Sequence, residues 1–438
     1  MLKVTKFGGS SMASAKQYRK VKDIITSDPS RKIVVVSAAG KDNNNIHKIT
    51  DLLYLCDAHI KYGVDCSSIF NMFTNRYLEI RDELDINLNL EEDFSSLRQQ
   101  MENQNITRDE LVSRGEYYSA KLMAAYLGYE FVDATELIFF NMDGSVNFDK
   151  TYKTVKEKIT NRRVVVPGFY GLMPTGHIKT FARGGSDITG SLLAAALDVD
   201  VYENWTDVSG ILMADPRIVG ESETIEEVTY DELEELSYTG AQVLNEESIY
   251  PVREKGIPLN IRNTNDPTHP GSMIKESFDE PVERKYFITG VTGKKDFTIL
   301  SISKKGMINQ IGILKNILAV LEGYRVKIDY YIPNGVDNIS VIMPTNEIEK
   351  NLHQILSEIE VEIEPDHIET FDKIAMVAAV GRQMPFRPGI SGQIFGALGK
   401  AGINIRLINQ GPDEINVTFG VDNKDFNKAI QVIYSCFI

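Results

Sequence analysis

The last third of the chain contains two copies of one short pattern, and this repeat constrains the fold more than any other feature. In the first copy, Gly312 opens a helical stretch, and apolar strand-like runs follow at 326–332 and 339–342. The same succession returns 76–77 residues later, at Gly389, 403–409 and 415–419. Repeats at a fixed offset mark duplicated structural units. We therefore expect two small βαββαβ units.

The second copy lacks a final strand, because the chain ends at Ile438 soon after the helical stretch 424–434. One strand-like run, Tyr286–Thr292, precedes the first copy and is in excess there. We predict that this run pairs into the second copy, so that the two units are intertwined. The alternative is an independent edge strand.

The chain before the repeat alternates between strand-like and helical stretches. Leu2–Phe7 and Lys32–Ser37 are predicted strands, the second a continuous apolar run typical of a parallel sheet covered on both faces. Helical periodicity covers 14–27, dominates from 48 to 127 with breaks near Asn87 and Asn105, and returns at 187–197. This order predicts an α/β fold, a three-layer, open, mostly parallel sheet with helices on both faces.

Two prolines in the segment 266–271 (DPTHPG) mark a domain boundary. We expect a first domain at 1–265, a linker at 266–285, and two smaller domains at 286–372 and 373–438.

Composition excludes several classes of protein. A net charge of −15 over 438 residues argues against general nucleic-acid binding. The sequence has neither a run of about 18 apolar residues nor a signal peptide, so no association with a membrane is expected. Three cysteines are too few for a disulfide framework, which favours a cytoplasmic protein.

Two glycine-rich turns are the candidate sites for binding an anion. Lys6 precedes Gly8-Gly9 where the first strand meets the first helix, and Arg183 and Asp187 flank Gly184-Gly185 before a later helix. Glycines let backbone N–H groups approach an anion, and a helix N-terminus favours negative charge. Each turn alone could be a tight βα connection or, for Asp187, an N-cap. Together they suit phosphoryl transfer.

Five motifs, in order, resemble the motif set of the aspartate kinases of the amino-acid kinase superfamily. They are KFGGSS from Lys6, SRGE from Ser113, ARGGSD from Ala182, WTDVSGI…ADPR from Trp205 and IPLNIRNTNDPTHPGS from Ile257. The repeated tail resembles the paired ferredoxin-like ACT domains of the same enzymes. The resemblance implies phosphorylation of the L-aspartate β-carboxylate by ATP with Mg²⁺, which opens the lysine, threonine and methionine (and diaminopimelate) pathway.

The resemblance also assigns roles to residues. It places catalysis on Lys6 and Asp187, and substrate binding on Ser37, Thr50, Glu116, Phe169, Arg183, Gly184 and Gly185. ATP would be bound by Lys6, Gly8, Gly9, Ser10, Thr206, Asp207, Leu212, Arg217 and Gln242. Gln242 stands where many relatives have lysine; either it hydrogen-bonds to the nucleotide instead, or nucleotide affinity depends more on Lys6 and Arg217.

The tail implies feedback regulation by an amino acid. The matching effector surface comprises Met307, Gln310, Gly312, Ile313, Leu314, Asp329 and Asn334. Asp329 suits the ammonium of L-lysine, whereas the second copy has Arg406 at the equivalent position; threonine is the competing effector, and a simple ion pair of Asp329 is the structural alternative. A homodimer through the ACT domains, or a dimer of dimers, is expected.

Two other functions stay open at this point. The chain could phosphorylate another acidic substrate, or it could be a catalytically weak amino-acid sensor. The six histidines are scattered without ligand-like spacing, so no protein-held metal site is predicted. The acidic stretch 221–235 is expected to be solvated.

Overall fold

The computed structural model describes residues 1–43, 45–182, 184–241, 244, 246–278 and 286–438. The chain forms two compact units. The first contains Met1–Ile211, Thr224–Tyr230 and Val243–Asp279, and the second contains Leu212–Glu223, Asp231–Gln242 and Glu280–Ile438. The polypeptide therefore passes between the units several times, which a single boundary near residue 266 does not describe.

An open sheet of eight described strands forms the centre of the first unit, in the order β10-β12-β11-β7-β1-β2-β4-β3. Neighbouring strands are parallel except β11 and β12. The strands within residues 1–275 are β1 (Lys3–Phe7), β2 (Arg31–Val36), β3 (Glu130–Phe131), β4 (Val164–Pro167), β5 (Tyr170–Leu172), β6 (Ile178–Thr180), β7 (Val201–Thr206), β8 (Ile211–Leu212), β9 (Thr224–Ile225), β10 (Glu227–Thr229), β11 (Leu259–Asn263) and β12 (Ser272–Lys275). The predicted mostly parallel α/β fold is confirmed.

Helices follow from the apolar periodicity of the sequence. In α1, for example, Tyr18, Val21 and Ile25 are spaced by one turn and are buried. The helices up to residue 254 are α1 (Ala15–Thr26), α2 (Ile49–Lys61), α3 (Ser67–Glu83), α4 (Glu91–Glu102), α5 (Arg108–Leu127), α6 (Phe148–Ile159), α7 (Gly185–Leu197), α8 (Pro216–Val219), α9 (Tyr230–Thr239) and α10 (Glu246–Glu254). The expected breaks near Asn87 and Asn105 are present, but the turn between α2 and α3 was not predicted. No described helix is long and apolar enough to cross a membrane.

The second unit contains a sheet of six described strands in the order β14-β15-β13-β16-β18-β17, and all its pairs are antiparallel. Its strands are β13 (Gly290–Ser303), β14 (Tyr330–Pro333), β15 (Asn338–Pro344), β16 (His367–Val380), β17 (Leu407–Asn409) and β18 (Asn416–Asp422). Its further helices are α11 (Ile313–Gly323), α12 (Thr345–Ile348), α13 (Leu352–Ile363), α14 (Ile390–Lys400) and α15 (Phe426–Phe437).

Two lobes share this sheet. The first lobe buries a core of Leu300, Ile317, Val341 and Ile359 with their neighbours, and the second lobe buries Val291, Val377, Ile394, Phe419 and Ile430 with theirs. The two central strands, β13 and β16, are each 14 residues long and contribute to both cores. Within them, Gly290–Lys294 pairs with Met376–Val380 of the second lobe. The intertwined ferredoxin-like fold expected for the tail is therefore confirmed.

Two local expectations were each wrong for one residue. The strand-like run 326–332 predicts Asp329 in the middle of a strand, but β14 begins at Tyr330; the Asp329 N–H donates to the Ile342 carbonyl at 3.1 Å. Most carboxylates of the acidic stretch 221–235 are exposed, as expected, but Glu232 is an exception. Glu232 has no exposed surface and accepts hydrogen bonds from the Thr289 hydroxyl and from the Arg382 backbone and guanidinium.

Candidate active site

The carboxyl ends of adjacent parallel strands meet at one edge of the first unit's sheet, where open α/β folds bind ligands. There the Lys6 ammonium, at the end of β1, lies 2.6 Å from Asp187 Oδ1, in the first turn of α7. The Lys6 side chain is only 9% exposed and that of Asp187 18%. The two glycine turns therefore come together at this edge of the sheet.

Close backbone contacts fix the first turn. The Gly8 N–H donates to the Trp205 carbonyl at 3.0 Å, and the Gly40 N–H donates to the Gly9 carbonyl at 2.8 Å. A Cβ atom on Gly40 would lie 2.6 Å from the Gly9 carbonyl carbon, so only glycine allows this approach. The buried guanidinium of Arg76 donates to the Ala13 and Gly40 carbonyls, which ties the loops after β1 and β2 together.

The second turn depends on an unusual backbone. Gly184 has φ 64° at the N-terminus of α7, and a Cβ on Gly185 would lie 2.7 Å from Phe169 Cδ2. Phe169 itself has φ 79°, which is rare for an aromatic residue, and its N–H donates to the Thr189 hydroxyl. Such backbone strain persists where the surrounding structure imposes it, often at functional sites.

Glu116 is a buried carboxyl without a counter-charge among the described residues. It lies on α5, is 5% exposed, and its Oε2 has no hydrogen-bond partner in the described part of the chain. Burial raises its pKa to about 8, against a smaller lowering by the hydrogen bond that the Ala38 backbone N–H donates. Ala38 also lies beside Gly9, since its carbonyl is 3.1 Å from the position of a Cβ there. Glu116 and the first glycine turn therefore both contact the loop after β2. We call Lys6, the first glycine turn and Asp187 the Lys6 corner, and the surroundings of Glu116 the Glu116 corner.

Sequence reasoning missed Asn204. This residue of β7 is 3% exposed, and its Nδ2 donates to Asp187 Oδ1 at 2.8 Å. The one signal in the sequence was a polar residue inside a buried parallel strand, where apolar residues are expected.

Further predicted residues lie close to these corners. The Ser37 N–H donates to the Phe7 carbonyl, Ser10 lies in the 3₁₀ turn Gly9–Met12, and Thr50 lies in the first turn of α2. The Thr206 hydroxyl at the end of β7 donates to Asp207.

Four further predicted nucleotide and substrate residues lie outside the described part of the first unit. Arg183 and Gln242 lie outside the described residues. Leu212 and Arg217 belong to the second unit, where the exposed Arg217 guanidinium pairs with Asp215 at 2.6 Å.

The predicted effector residues all lie in the first lobe of the second unit. Met307, Gln310, Gly312, Ile313 and Leu314 form the turn and first residues of α11, with Gly312 at φ 98°. Asn334 Nδ2 donates to the Ser340 hydroxyl at 2.6 Å. Burial raises the pKa of Asp329, whereas the charges of Lys294 and Lys327 lower it.

A parallel sheet with two glycine turns, an ammonium and a carboxylate at its carboxyl edge defines a phosphotransferase of the amino-acid kinase type. The amino acid kinase family model matches residues 1–263, and an ACT domain model matches residues 377–437. Aspartokinase 3 of Bacillus subtilis is 33% identical over 454 residues, covering 100% of this chain and 98% of that protein.

Solved structures of aspartate kinases are also similar to this chain. The aspartate kinase of Clostridium acetobutylicum is 45% identical with a TM-score of 0.89, and both chains are covered to 100%. Escherichia coli aspartokinase III, solved with aspartate and ADP, shares the fold at 24% identity and a TM-score of 0.77, covering 100% of this chain and 99% of that chain. The same protein with lysine and aspartate gives a TM-score of 0.75. The chain belongs to the aspartate kinases, which phosphorylate aspartate with ATP and carry regulatory ACT domains.

Proposed function

We propose that the first unit transfers the γ-phosphoryl group of ATP to the β-carboxylate of L-aspartate, giving 4-phospho-L-aspartate at the head of the lysine, threonine, methionine and diaminopimelate pathway. The observation that carries this proposal is the contact of Lys6 with Asp187 between the two glycine turns. Cations and amide N–H groups directed at phosphoryl oxygens are what this reaction requires.

Lys6 neutralises the charge that develops on the transferring group, and Asp187 holds the Lys6 ammonium in place. The attacking β-carboxylate is ionised at neutral pH, since its ordinary pKa is about 4. No general base is therefore needed.

In this proposal Gly8, Gly9 and Ser10 receive the nucleotide phosphates, because Gly8 and Gly9 have no side chain to obstruct the approach to the end of β1. Thr206 and Asp207 then complete the part of the nucleotide site that lies in the first unit, and the nucleotide-binding roles that the resemblance gives to Leu212, Arg217 and Gln242 stay predictions. Mg²⁺ would be held mainly by the phosphates. Among the described residues, no group of three or more His, Cys, Asp or Glu could hold a metal ion.

Recognition of the substrate depends on Glu116. Its unpartnered carboxyl oxygen is suited to the α-ammonium of a free amino acid, and Arg183 would take the α-carboxylate. Ser37, Thr50, Phe169, Gly184 and Gly185 would line the remainder of the substrate site.

Turnover of ATP with L-aspartate, L-glutamate, N-acetyl-L-aspartate or buffer alone tests this assignment. We expect turnover with L-aspartate only. Equal turnover with L-glutamate would identify a kinase of another acidic substrate, and aspartate-independent turnover or none would contradict the proposal.

We further propose that L-lysine inhibits the enzyme through the first lobe of the second unit. Asp329 is a half-buried carboxylate whose position in the second lobe is taken by Arg406, so an ammonium-bearing effector favours the first copy. Inhibition by L-lysine should be lost in Asp329→Ala and kept in the matched variant Arg406→Ala. Undiminished lysine inhibition of Asp329→Ala, or inhibition by L-threonine instead, would refute this effector.

The assembly proposed is a cytoplasmic homodimer through the ACT domains, or a dimer of two such dimers. In the described part of the sheet, β14 and β17 are edge strands with unpaired backbone groups, and such edges can pair with a second chain. Light scattering after size exclusion measures the assembly directly; a monomer at micromolar concentration would contradict it.

A further inference from the structure

Strand register places Asn204 beside the catalytic lysine. In the parallel pair of β1 and β7, Lys6 is the register partner of Asn204. Side chains of partner residues on adjacent strands point to the same face of a sheet. Helix α7 packs on these strands, and both side chains reach the Asp187 carboxylate that it carries.

Both contacts go to the same carboxylate oxygen. Asn204 Nδ2 lies 2.8 Å and Lys6 Nζ 2.6 Å from Asp187 Oδ1. The two donors therefore define the rotation of the carboxylate, which the ion pair with the flexible lysine alone would not do. Asn204 is 3% exposed, so water does not readily replace its amide.

The backbone at the start of α7 is fixed from the same strand. The Tyr202 hydroxyl donates to the Asp187 carbonyl at 3.1 Å. A Cβ on Gly190 would lie 2.4 Å from that hydroxyl oxygen, so this glycine allows the helix to approach the strand. Tyr202 thus holds the main chain of Asp187, and Asn204 holds its side chain.

We propose that Asn204 is a positioning residue for phosphoryl transfer, acting by orienting the Asp187 carboxylate that holds Lys6. This inference rests on the proposed function and adds a residue to it. The amide is suited to the task because it is a neutral donor. A carboxylate here would repel Asp187, and an ammonium would compete with Lys6 for it.

The Oδ1 atom of Asn204 is buried and has no hydrogen-bond partner among the described residues, and the same holds for Oδ1 of Asn260. This feature alone therefore does not indicate a role. The contact that distinguishes Asn204 is the hydrogen bond that its Nδ2 donates to Asp187.

Asn204→Leu removes the donor at nearly constant volume and tests the proposal. We expect kcat to fall about tenfold, while the KM values for L-aspartate and ATP stay within about twofold, because orientation rather than ground-state binding is lost. The matched control is Asn260→Leu. Asn260 is a buried amide on β11 in register with Glu203, so it lies on the opposite face of the sheet from Asn204. The control should leave kcat unchanged.

Asn204→Asp provides a second measurement that a merely structural role would not alter. A second carboxylate beside Asp187 makes the pair retain a proton at higher pH. The acid limb of the kcat profile should therefore move to higher pH by about one unit. If Asn204→Leu does not fold, as judged by its thermal melting, this profile alone decides the matter.

Three results would overturn the inference: kcat of Asn204→Leu within twofold of the wild type, an equal loss in Asn260→Leu, or an unmoved acid limb in Asn204→Asp. The proposed function fails separately, if the wild-type protein shows no aspartate-dependent turnover of ATP.

Discussion

Two corners of the first unit hold a carboxylate in opposite electrostatic settings. Asp187 forms an ion pair with Lys6 and accepts a hydrogen bond from Asn204, so its carboxylate has partners without a ligand. Glu116 is buried more deeply, yet its Oε2 has no partner in the described chain, and burial raises its pKa to about 8.

The difference separates two tasks. The Lys6 corner is organised in advance, as electrostatic stabilisation of a transition state requires. In the proposed function, the α-ammonium of the substrate completes the Glu116 corner, because its positive charge compensates the desolvation of the buried carboxylate.

Removing the Lys6 ammonium should have the largest effect on catalysis. In Lys6→Met, kcat should fall about a thousandfold, because the developing phosphoryl charge loses its cation. Steady-state kinetics of aspartate-dependent ATP turnover measures this, with Lys16→Met, an exposed lysine of α1, as the control. Activity of Lys6→Met within tenfold of the wild type would contradict the role of this corner.

Neutralising the other corner should affect binding instead of chemistry. In Glu116→Gln, the KM for L-aspartate should rise about a hundredfold while kcat stays within a few-fold, because a charge-assisted hydrogen bond to the substrate ammonium is lost. The KM for ATP should not change. Glu110→Gln, on the same helix, is the control; a large fall in kcat without a change in KM would remove the distinction between the corners.

The pH dependence of binding should belong to Glu116. With a pKa of about 8, the carboxyl is increasingly neutral as the pH falls, and only the carboxylate attracts an ammonium. The KM for L-aspartate should therefore be about fivefold higher at pH 7 than at pH 8. Glu116→Gln should show no such slope between these pH values. A wild-type KM that is equal at both would mean that Glu116 stays ionised in the free enzyme.

The smallest effect concerns stability without ligand. Because the pKa of Glu116 is raised in the folded protein, its contribution to stability is present below its unfolded pKa and is lost as the pH rises through about 8. Glu116→Gln should therefore melt at the same temperature as the wild type at about pH 4, below the unfolded pKa, and about 3 °C higher at pH 8.5. Calorimetry with aspartate absent measures both; a lower melting temperature of the variant at pH 8.5 would contradict the expectation.

The sequence predicted those parts of the site that local chain geometry determines. Lys6 and Asp187 stand next to glycine turns, and such turns at the ends of strands of one parallel sheet meet at a common edge. The buried strand Arg31–Val36 and the amphipathic helix Ala15–Thr26 were predicted within one residue at each end for the same local reasons.

What the sequence did not predict depends on contacts distant along the chain. The position of Asn204 beside the site follows only from its register with Lys6. The role of Arg76 follows only from its hydrogen bonds to two carbonyls, which are 36 and 63 residues away along the chain. Glu232 looked like one more solvated acid in an acidic stretch, since nothing local indicates its partner Arg382, 150 residues later.

Because β13 and β16 each continue through a bulge from one regulatory lobe into the other, neither lobe possesses a complete set of strands of its own. Cutting the chain between the repeats would not release a free-standing half. Amide protons in these two strands should exchange only when both lobes open together, and ligand-induced strain in one half has a direct covalent route into its neighbour.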